Sequence, residues 1–261
     1  MDNKTELNYN DSPLTKQAYK LRLMYEGTHY SGWQRQDNAV TVQGELEKAL
    51  SVIFREPISV TGVSRTDAGV HAADYTANFH ASVSLEPRKI CRGVNALLPQ
   101  DIRVFEASPC DMDFSSRFDA MRKTYLYHID CSLHGNVFYR HIAWHHPMPL
   151  DIESMQKAAG HFLGEHDFSA FMAQGGSAKT FTRHIMESDI SCEGDLVTYR
   201  ITGNGFLYNM VRIITGTLVW VGRGKLSADD MPALIAARDR TRVGMTAPAH
   251  GLMLLRAEYE N

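Results

Sequence analysis

The spacing of apolar positions changes along the chain, and each change predicts an element. From Lys20 to Tyr25 polar and apolar residues alternate, as in a strand with one buried face. After Thr41 the apolar set Val42, Leu46, Leu50 and Ile53 shifts to helical spacing. Ile58 to Gly62 predicts a second strand, Val63 to Val70 a loop, and the residues from there to Phe79 a third strand. Pro87 suits the first turn of a helix running to Leu98, closed by Pro99, and Ile102 to Phe105 returns to strand spacing.

The second part of the chain repeats the mixture. Thr124 to Ile129 alternates, with Tyr125 and Tyr127 on one face and Thr124 and Leu126 on the other. Asp151 is a candidate N-cap for a helix carrying Ile152, Met155, Ala159 and Phe162 on one side. Ile185 to Ile190 and Leu196 to Ile201 predict antiparallel strands joined near Glu193-Gly194-Asp195. An apolar helix from about Leu207 to Val221, ending near Gly222, is followed by a helix over Ala228 to Ala237 and a strand over Leu252 to Tyr259. Residues 1–18 are polar and aperiodic, which predicts a flexible arm. The expected fold class is α/β (α+β), a largely antiparallel mixed sheet flanked by helices in two pseudo-related halves. No linker-like tract separates the halves, and the division is expected near Ser108 to Ser116, giving halves of 19–108 and 109–261.

Composition narrows the class. With 261 residues, 44% hydrophobic and 22% charged, the chain can bury a substantial core without metal or disulfide staples. Cys91, Cys110, Cys131 and Cys192 lie far apart with no C-x-x-C pair, which fits reduced thiols. No apolar run reaches membrane-span length and the N-terminus lacks signal-peptide features, so a cytoplasmic protein is expected. The twelve histidines include His141, His145 and His146, but without a cysteine pair or an H-E-x-x-H helix no metal site is expected. Gly222-Arg223-Gly224-Lys225 lacks the spacing and the following Ser/Thr of a phosphate loop.

The net charge of −3 gives no global footprint for a polyanion. A basic cleft on an acidic body can still steer one. Basic clusters occur at Arg88-Lys89 with Arg92, at Arg117 with Arg122-Lys123, and at Arg238, Arg240 and Arg242; each also fits a solvated face.

The chemistry-bearing segment is Gly62-Val63-Ser64-Arg65-Thr66-Asp67-Ala68-Gly69-Val70-His71-Ala72, between two predicted strands. Gly62 and Gly69 permit a tight turn around Asp67, and Arg65 lies two residues away. Such a carboxylate suits a nucleophile or base, and such an arginine suits phosphate; an ordinary Asp-Ala-Gly turn fits the same pattern. Arg212 falls in the apolar helix and, if buried, must find a carboxylate or strong acceptors. Tyr125 reads equally as a core or sheet-face residue.

The string R-T-D-A-G-V-H-A resembles the signature of the TruA family of tRNA pseudouridine synthases. The resemblance continues through Tyr25-Glu26-Gly27-Thr28-His29-Tyr30-Ser31-Gly32-Trp33-Gln34-Arg35-Gln36 and Thr41-Val42-Gln43-Gly44-Glu45-Leu46-Glu47. It also includes Gly93-Val94-Asn95-Ala96-Leu97-Leu98-Pro99, His166-Asp167-Phe168-Ser169-Ala170-Phe171 and Ala247-Pro248-Ala249-His250-Gly251-Leu252. Ser64, where a glycine or another small residue is expected, and the N-terminal arm are departures. The resemblance implies the pseudouridine synthase fold and an enzyme that cleaves the N1 glycosidic bond of uridine, turns the uracil and rejoins it through C5, without cofactor or metal.

The same resemblance implies that Asp67 is the essential catalytic residue and Arg212 its partner. It makes Tyr125 the active-site tyrosine stacking on the target base, and Arg65 the mobile arginine that occupies the space of the flipped base. Phosphate contacts are expected from Arg117, Arg122, Lys123 and Arg183. The implied substrate is uridine at positions 38, 39 and 40 of the tRNA anticodon stem-loop, bound by a homodimer. A non-catalytic tRNA-binding or tRNA-folding module is the alternative, disfavoured because Asp67, Tyr125 and Arg212 are all present. A sugar hydrolase would need a second carboxylate that the loop does not supply.

Overall fold

A computed structural model describes residues 16–176 and 178–260, so residues 1–15 of the expected arm lie outside the described residues. Fifteen elements follow one another as β1 (Gln17–Tyr25), α1 (Val42–Phe54), β2 (Val60–Gly62), β3 (His71–Ala81), α2 (Pro87–Leu97), β4 (Ile102–Cys110), β5 (Arg122–Asp130), β6 (Trp144–His145), α3 (Ile152–Gly160), β7 (Gly164–Asp167), β8 (Thr182–Glu193), β9 (Leu196–Gly203), α4 (Met210–Gly222), α5 (Met231–Ala237) and β10 (Leu252–Glu258), with short 3-10 turns between some of them. The caps read from sequence operate. The Thr41 side chain accepts from Gly44 N–H at the start of α1, and Asp151 accepts from Ser154 N–H at the start of α3.

All ten strands form one mixed, mostly antiparallel sheet, with order β4-β1-β3-β10-β5-β9-β8-β7, β2 beside β3, and β6 beside β5. Within it the same arrangement occurs twice. β1-α1-β2-β3-α2-β4 gives the neighbour order β4-β1-β3-β2, and β5-α3-β8-β9-α4-β10 gives β10-β5-β9-β8. The halves meet where β10 runs parallel to the first residues of β3, pairing Met253 with His71 and Leu254 with Ala72. Farther along the same edge of β3, β2 pairs from Gly62–Ala77 onward. Between these contacts the sheet parts, and the loop from Val63 to Val70 occupies the opening, with Val63 N–H donating to the Thr76 carbonyl at 3.0 Å. Alternate residues of β1, β5 and β9 (Tyr19, Leu21, Leu23; Tyr127, Ile129; Tyr199, Ile201) are fully buried in one continuous core beneath that opening.

Two predicted elements change on folding and one unpredicted strand appears. α4 begins at Met210 rather than Leu207, because Asn209 adopts a left-handed conformation (φ 59°) that no helix continues through. The predicted Ala228–Ala237 helix is a 3-10 turn at Ala228–Asp230 followed by α5. β7 has no alternating pattern and is a strand only because β8 pairs with it.

Close backbone contact fixes α4. A Cβ at Gly216 would lie 1.8 Å from the Met245 carbonyl oxygen, and Gly244 N–H donates to Thr217 Oγ1 at 2.9 Å. This contact delivers the strand-like segment 244–247 to Arg212. Gly216→Ala is therefore expected to cost at least about 1–3 kcal/mol, a fall of roughly 2–4 °C in Tm per kcal/mol for a chain this size. An unchanged Tm by circular dichroism would contradict the close approach.

Candidate active site

Arg212 sits one turn into α4 with only 16% of its side chain exposed, and Asp67 in the loop opposite has 26% exposed. Arg212 Nη1 donates to Asp67 Oδ2 at 3.1 Å and to Asn209 Oδ1 at 2.7 Å, while its Nε donates to the Ala247 carbonyl at 2.8 Å. A guanidinium removed from water thus finds an anion and two neutral acceptors, as the burial cost requires. The pair joins the two halves, 145 residues apart in sequence.

The loop that carries Asp67 is gripped from below. The buried Tyr25 hydroxyl lies 2.9 Å from Thr66 Oγ1, and the Tyr75 hydroxyl donates to the Ser64 carbonyl. Trp33 N–H donates to the Thr66 carbonyl at 3.1 Å, and Val70 N–H closes a turn on the Asp67 carbonyl at 3.1 Å. Gly69 has the positive φ (79°) that its place in the turn demands. Gly62 does not; it lies in β2, where a Cβ would strike the Tyr75 hydroxyl and the Trp33 ring. These neighbours fix alternate residues of the loop and leave Arg65 exposed and Asp67 facing the cleft.

The wall behind Arg212 is fixed in the same way. Between Ala247 and His250 each carbonyl is taken: Ala247 by Arg212, Pro248 by the Tyr127 hydroxyl at 2.7 Å, Ala249 by Leu252 N–H, and His250 by His71 Nε2 at 3.0 Å. His71 Nδ1 accepts from Gly27 N–H at 2.9 Å, so the neutral ring carries its proton on Nε2. Burial lowers the His71 pKa and favours that neutral form.

Tyr125 lies on the cleft floor, its ring edge-on to Phe206 at 5.1 Å and its hydroxyl 3.4 Å from Ser64 Oγ. Burial raises its pKa, the Ser64 contact opposes this, and the Asp67 charge adds to it, so the phenol stays protonated near neutrality. Ser64, a departure from the expected pattern, therefore touches the tyrosine that the resemblance singled out. The cleft encloses about 960 Å³ and also exposes Arg65, Arg117, Lys123 and Arg183. Burial, then Arg117 and Arg183, lower the Lys123 pKa to about 8. Arg122 does not join this group. It alternates to the other face of β5, where Glu258 binds it at 2.5 Å, and it does not line the cleft. The three neighbouring histidines also separate: His141 faces Glu26, His145 the Ser132 carbonyl and His146 the Met148 carbonyl. No group of three or more His, Cys, Asp or Glu among the described residues could hold a metal ion.

The chain that builds this cleft has relatives among known proteins. The sequence model of a family described as tRNA pseudouridine synthase matches residues 23–119 and 158–260, well over half of the chain. The tRNA pseudouridine synthase A of Acetivibrio thermocellus is 46% identical over 240 residues, covering 92% of this chain and 98% of its own. This chain belongs to the tRNA pseudouridine synthase family. The synthase A enzymes of Ruminiclostridium cellulolyticum and Geotalea uraniireducens are 44% and 43% identical, each over 92% of this chain and 98% of their own. Among solved structures, a chain of a Cbf5-Nop10-Gar1 complex covers 92% of this chain and 59% of its own at 13% identity, with a TM-score of 0.38, too slight a likeness to carry an argument. As a tRNA pseudouridine synthase the chain is an isomerase acting on uridine in tRNA. No helix among the described residues is long and apolar enough to cross a membrane.

Two residues of this synthase site escaped the sequence reading. Phe206, against Tyr125, carries no local signal. Asn209 does carry one, since asparagine is among the few non-glycine residues that tolerate the left-handed region. Asn209→Ala removes an acceptor from a buried charge and is expected to lower kcat at least about tenfold with little change in KM. Asn209→Gly should lose the same activity with a smaller loss of stability. Steady-state pseudouridine formation and thermal unfolding check both; full activity in Asn209→Gly would remove the side chain from the site.

Lys123 gives a pH signature. It is charged below about 8 and neutral above, so a phosphate contact weakens as pH rises through that value. The affinity of the synthase for tRNA should fall between pH 7 and 9, and the slope of log K against log salt should shrink by about one ion. Lys123→Met should remove that pH dependence in filter-binding titrations.

Proposed function

We propose that this synthase isomerises uridine to pseudouridine at positions 38, 39 and 40 of the tRNA anticodon stem-loop, as a cytoplasmic homodimer, with Asp67 as the catalytic carboxylate. The observation that carries the catalytic part is that Asp67 and Tyr125, from a loop and a strand of different halves, line one cleft, with Arg212 of α4 bonded to the Asp67 carboxylate. The positions and the dimer rest on the resemblance of the motif string.

The reaction conserves the composition of the uridine: the N1–C1′ bond breaks, the uracil turns, C5 bonds to C1′, the C5 proton leaves to solvent and N1 takes up one proton from solvent. Arg212 holds the Asp67 carboxylate in place and aimed into the cleft. Tyr125, protonated and braced by Phe206, offers a surface for the extruded base and a group beside C5. Arg65, exposed in the cleft mouth, fills the place the base leaves in the stem-loop. Arg117, Lys123 and Arg183 hold phosphates along the wall. Bond cleavage and re-formation leave the oxidation level unchanged, so the reaction needs no oxidant or reductant.

The test is site-resolved pseudouridine mapping on unmodified tRNA with uridines across the anticodon arm, comparing wild type with Asp67→Ala. Wild type should modify positions 38 to 40, and Asp67→Ala should lose at least ~10³-fold in rate while still binding tRNA. Product at other uridines would correct the substrate and keep the chemistry. Binding without product from wild type would leave the non-catalytic tRNA-binding module in its place.

A further inference from the structure

The wall of the cleft beyond Lys123 carries a feature that the chemistry at Asp67 does not use. Ser116 is fully buried and fixed by three hydrogen bonds to three strands or their continuations. Its hydroxyl donates to the Thr61 carbonyl (2.8 Å), its N–H donates to Asn78 Oδ1 (2.9 Å), and its carbonyl accepts from the Tyr259 hydroxyl (2.7 Å). The turn around it is closed by Ser115 N–H on Asp119 Oδ2 (2.8 Å) and Asp119 N–H on the Ser115 carbonyl (3.1 Å). From this rigid base the next two side chains project outward. Phe118 is 78% exposed, lines the cleft, and has the Arg117 guanidinium 5.2 Å from its ring centroid.

An aromatic ring held on so well-tied a turn gains nothing from burial in the free protein. The backbone that carries it is nevertheless fixed in advance, and a cation lies against the ring. Arg117, Lys123 and Arg183, which line the same cleft, form no ion pair among the described residues. Burial, and then the charges of Arg117 and Arg183, lower the Lys123 pKa. Unpaired cations beside an exposed aromatic face complement a nucleotide that has left its helix, whose base stacks while its phosphate is neutralised.

We infer that Phe118 is a stacking platform for the base next to the target uridine, with Arg117 supporting the ring and the neighbouring cations holding the adjoining phosphates. The inference rests on the reading of this cleft as the tRNA site. It adds a second nucleotide to the recognised substrate and assigns Phe118 to binding. Tyr125 receives the reacting base on the floor, and Phe118 keeps the neighbouring base from restacking over the vacancy.

Equilibrium binding tests it without requiring turnover. Kd is measured for wild type, Phe118→Ala and Phe118→Tyr with an anticodon-arm RNA, and with the same RNA lacking the base on the 5′ side, or on the 3′ side, of the target uridine. Phe118→Ala should weaken binding of the intact RNA about tenfold, within the range for loss of one base–aromatic stack, and Phe118→Tyr should restore it. For one of the two abasic RNAs, wild type should lose the same factor and Phe118→Ala should lose nothing more. The inference is overturned if Phe118→Ala binds intact RNA like wild type, or if both abasic RNAs weaken wild type and Phe118→Ala equally. Pseudouridine formation by wild type is scored in parallel, so failure of the functional reading and failure of the platform are read from separate arms.

Discussion

The buried guanidinium of Arg212 is the constraint around which the site is arranged. A charge on an otherwise apolar helix is tolerable only where its donors are matched, and the matches come from three segments: the loop of Asp67, the left-handed Asn209 and the Ala247 carbonyl. Each segment is in turn fixed by its own contacts, the loop by the tyrosines beneath it and the segment at Ala247 by its approach to Gly216. The carboxylate is thus oriented before substrate arrives, a condition that the proposed catalytic role of Asp67 requires.

The sheet explains why the site lies where it does. Two copies of one strand order meet through only two residue pairs between β3 and β10, and the sheet opens beyond them. A continuous ladder would have left no room for a loop at its centre. The opening lets a helix of one half and a loop of the other face each other over a common core. Function has been placed at the weakest part of the pairing and rigidified by side-chain hydrogen bonds to backbone.

Charge is sorted between faces. Away from the cleft, Arg22 pairs with Asp74 and Glu106, Arg200 with Glu187, and Arg122 and Arg256 with Glu258. In the cleft Arg117, Lys123 and Arg183 have no carboxylate partner among the described residues, although the whole chain has a net charge of −3. The global figure therefore says little about a polyanionic substrate, since the local cluster of unpaired cations, and not the sum over the chain, sets the field in the cleft.

Much of this was legible in the sequence, because it depends on local physics. Alternation at Thr124 to Ile129, the caps at Thr41 and Asp151, and the proline at the start of α2 act over a few residues, and the structure has those elements. The apolar surroundings of Arg212 required a partner, and the motif resemblance named Asp67. Other features depend on contacts that local pattern does not carry. β7 exists because β8 lies beside it, and α4 starts late because Asn209 turns back toward Arg212. Arg122 and Lys123 are adjacent in sequence and alike in charge, yet alternation sends one to Glu258 and the other into the cleft. The sequence by itself determined the periods and the caps, since these follow from neighbours along the chain, and its motif resemblance named the candidate reactive groups. Only the tertiary structure decided which cations remain unpaired and which aromatic rings face the cleft, because those outcomes depend on groups brought together from distant parts of the chain.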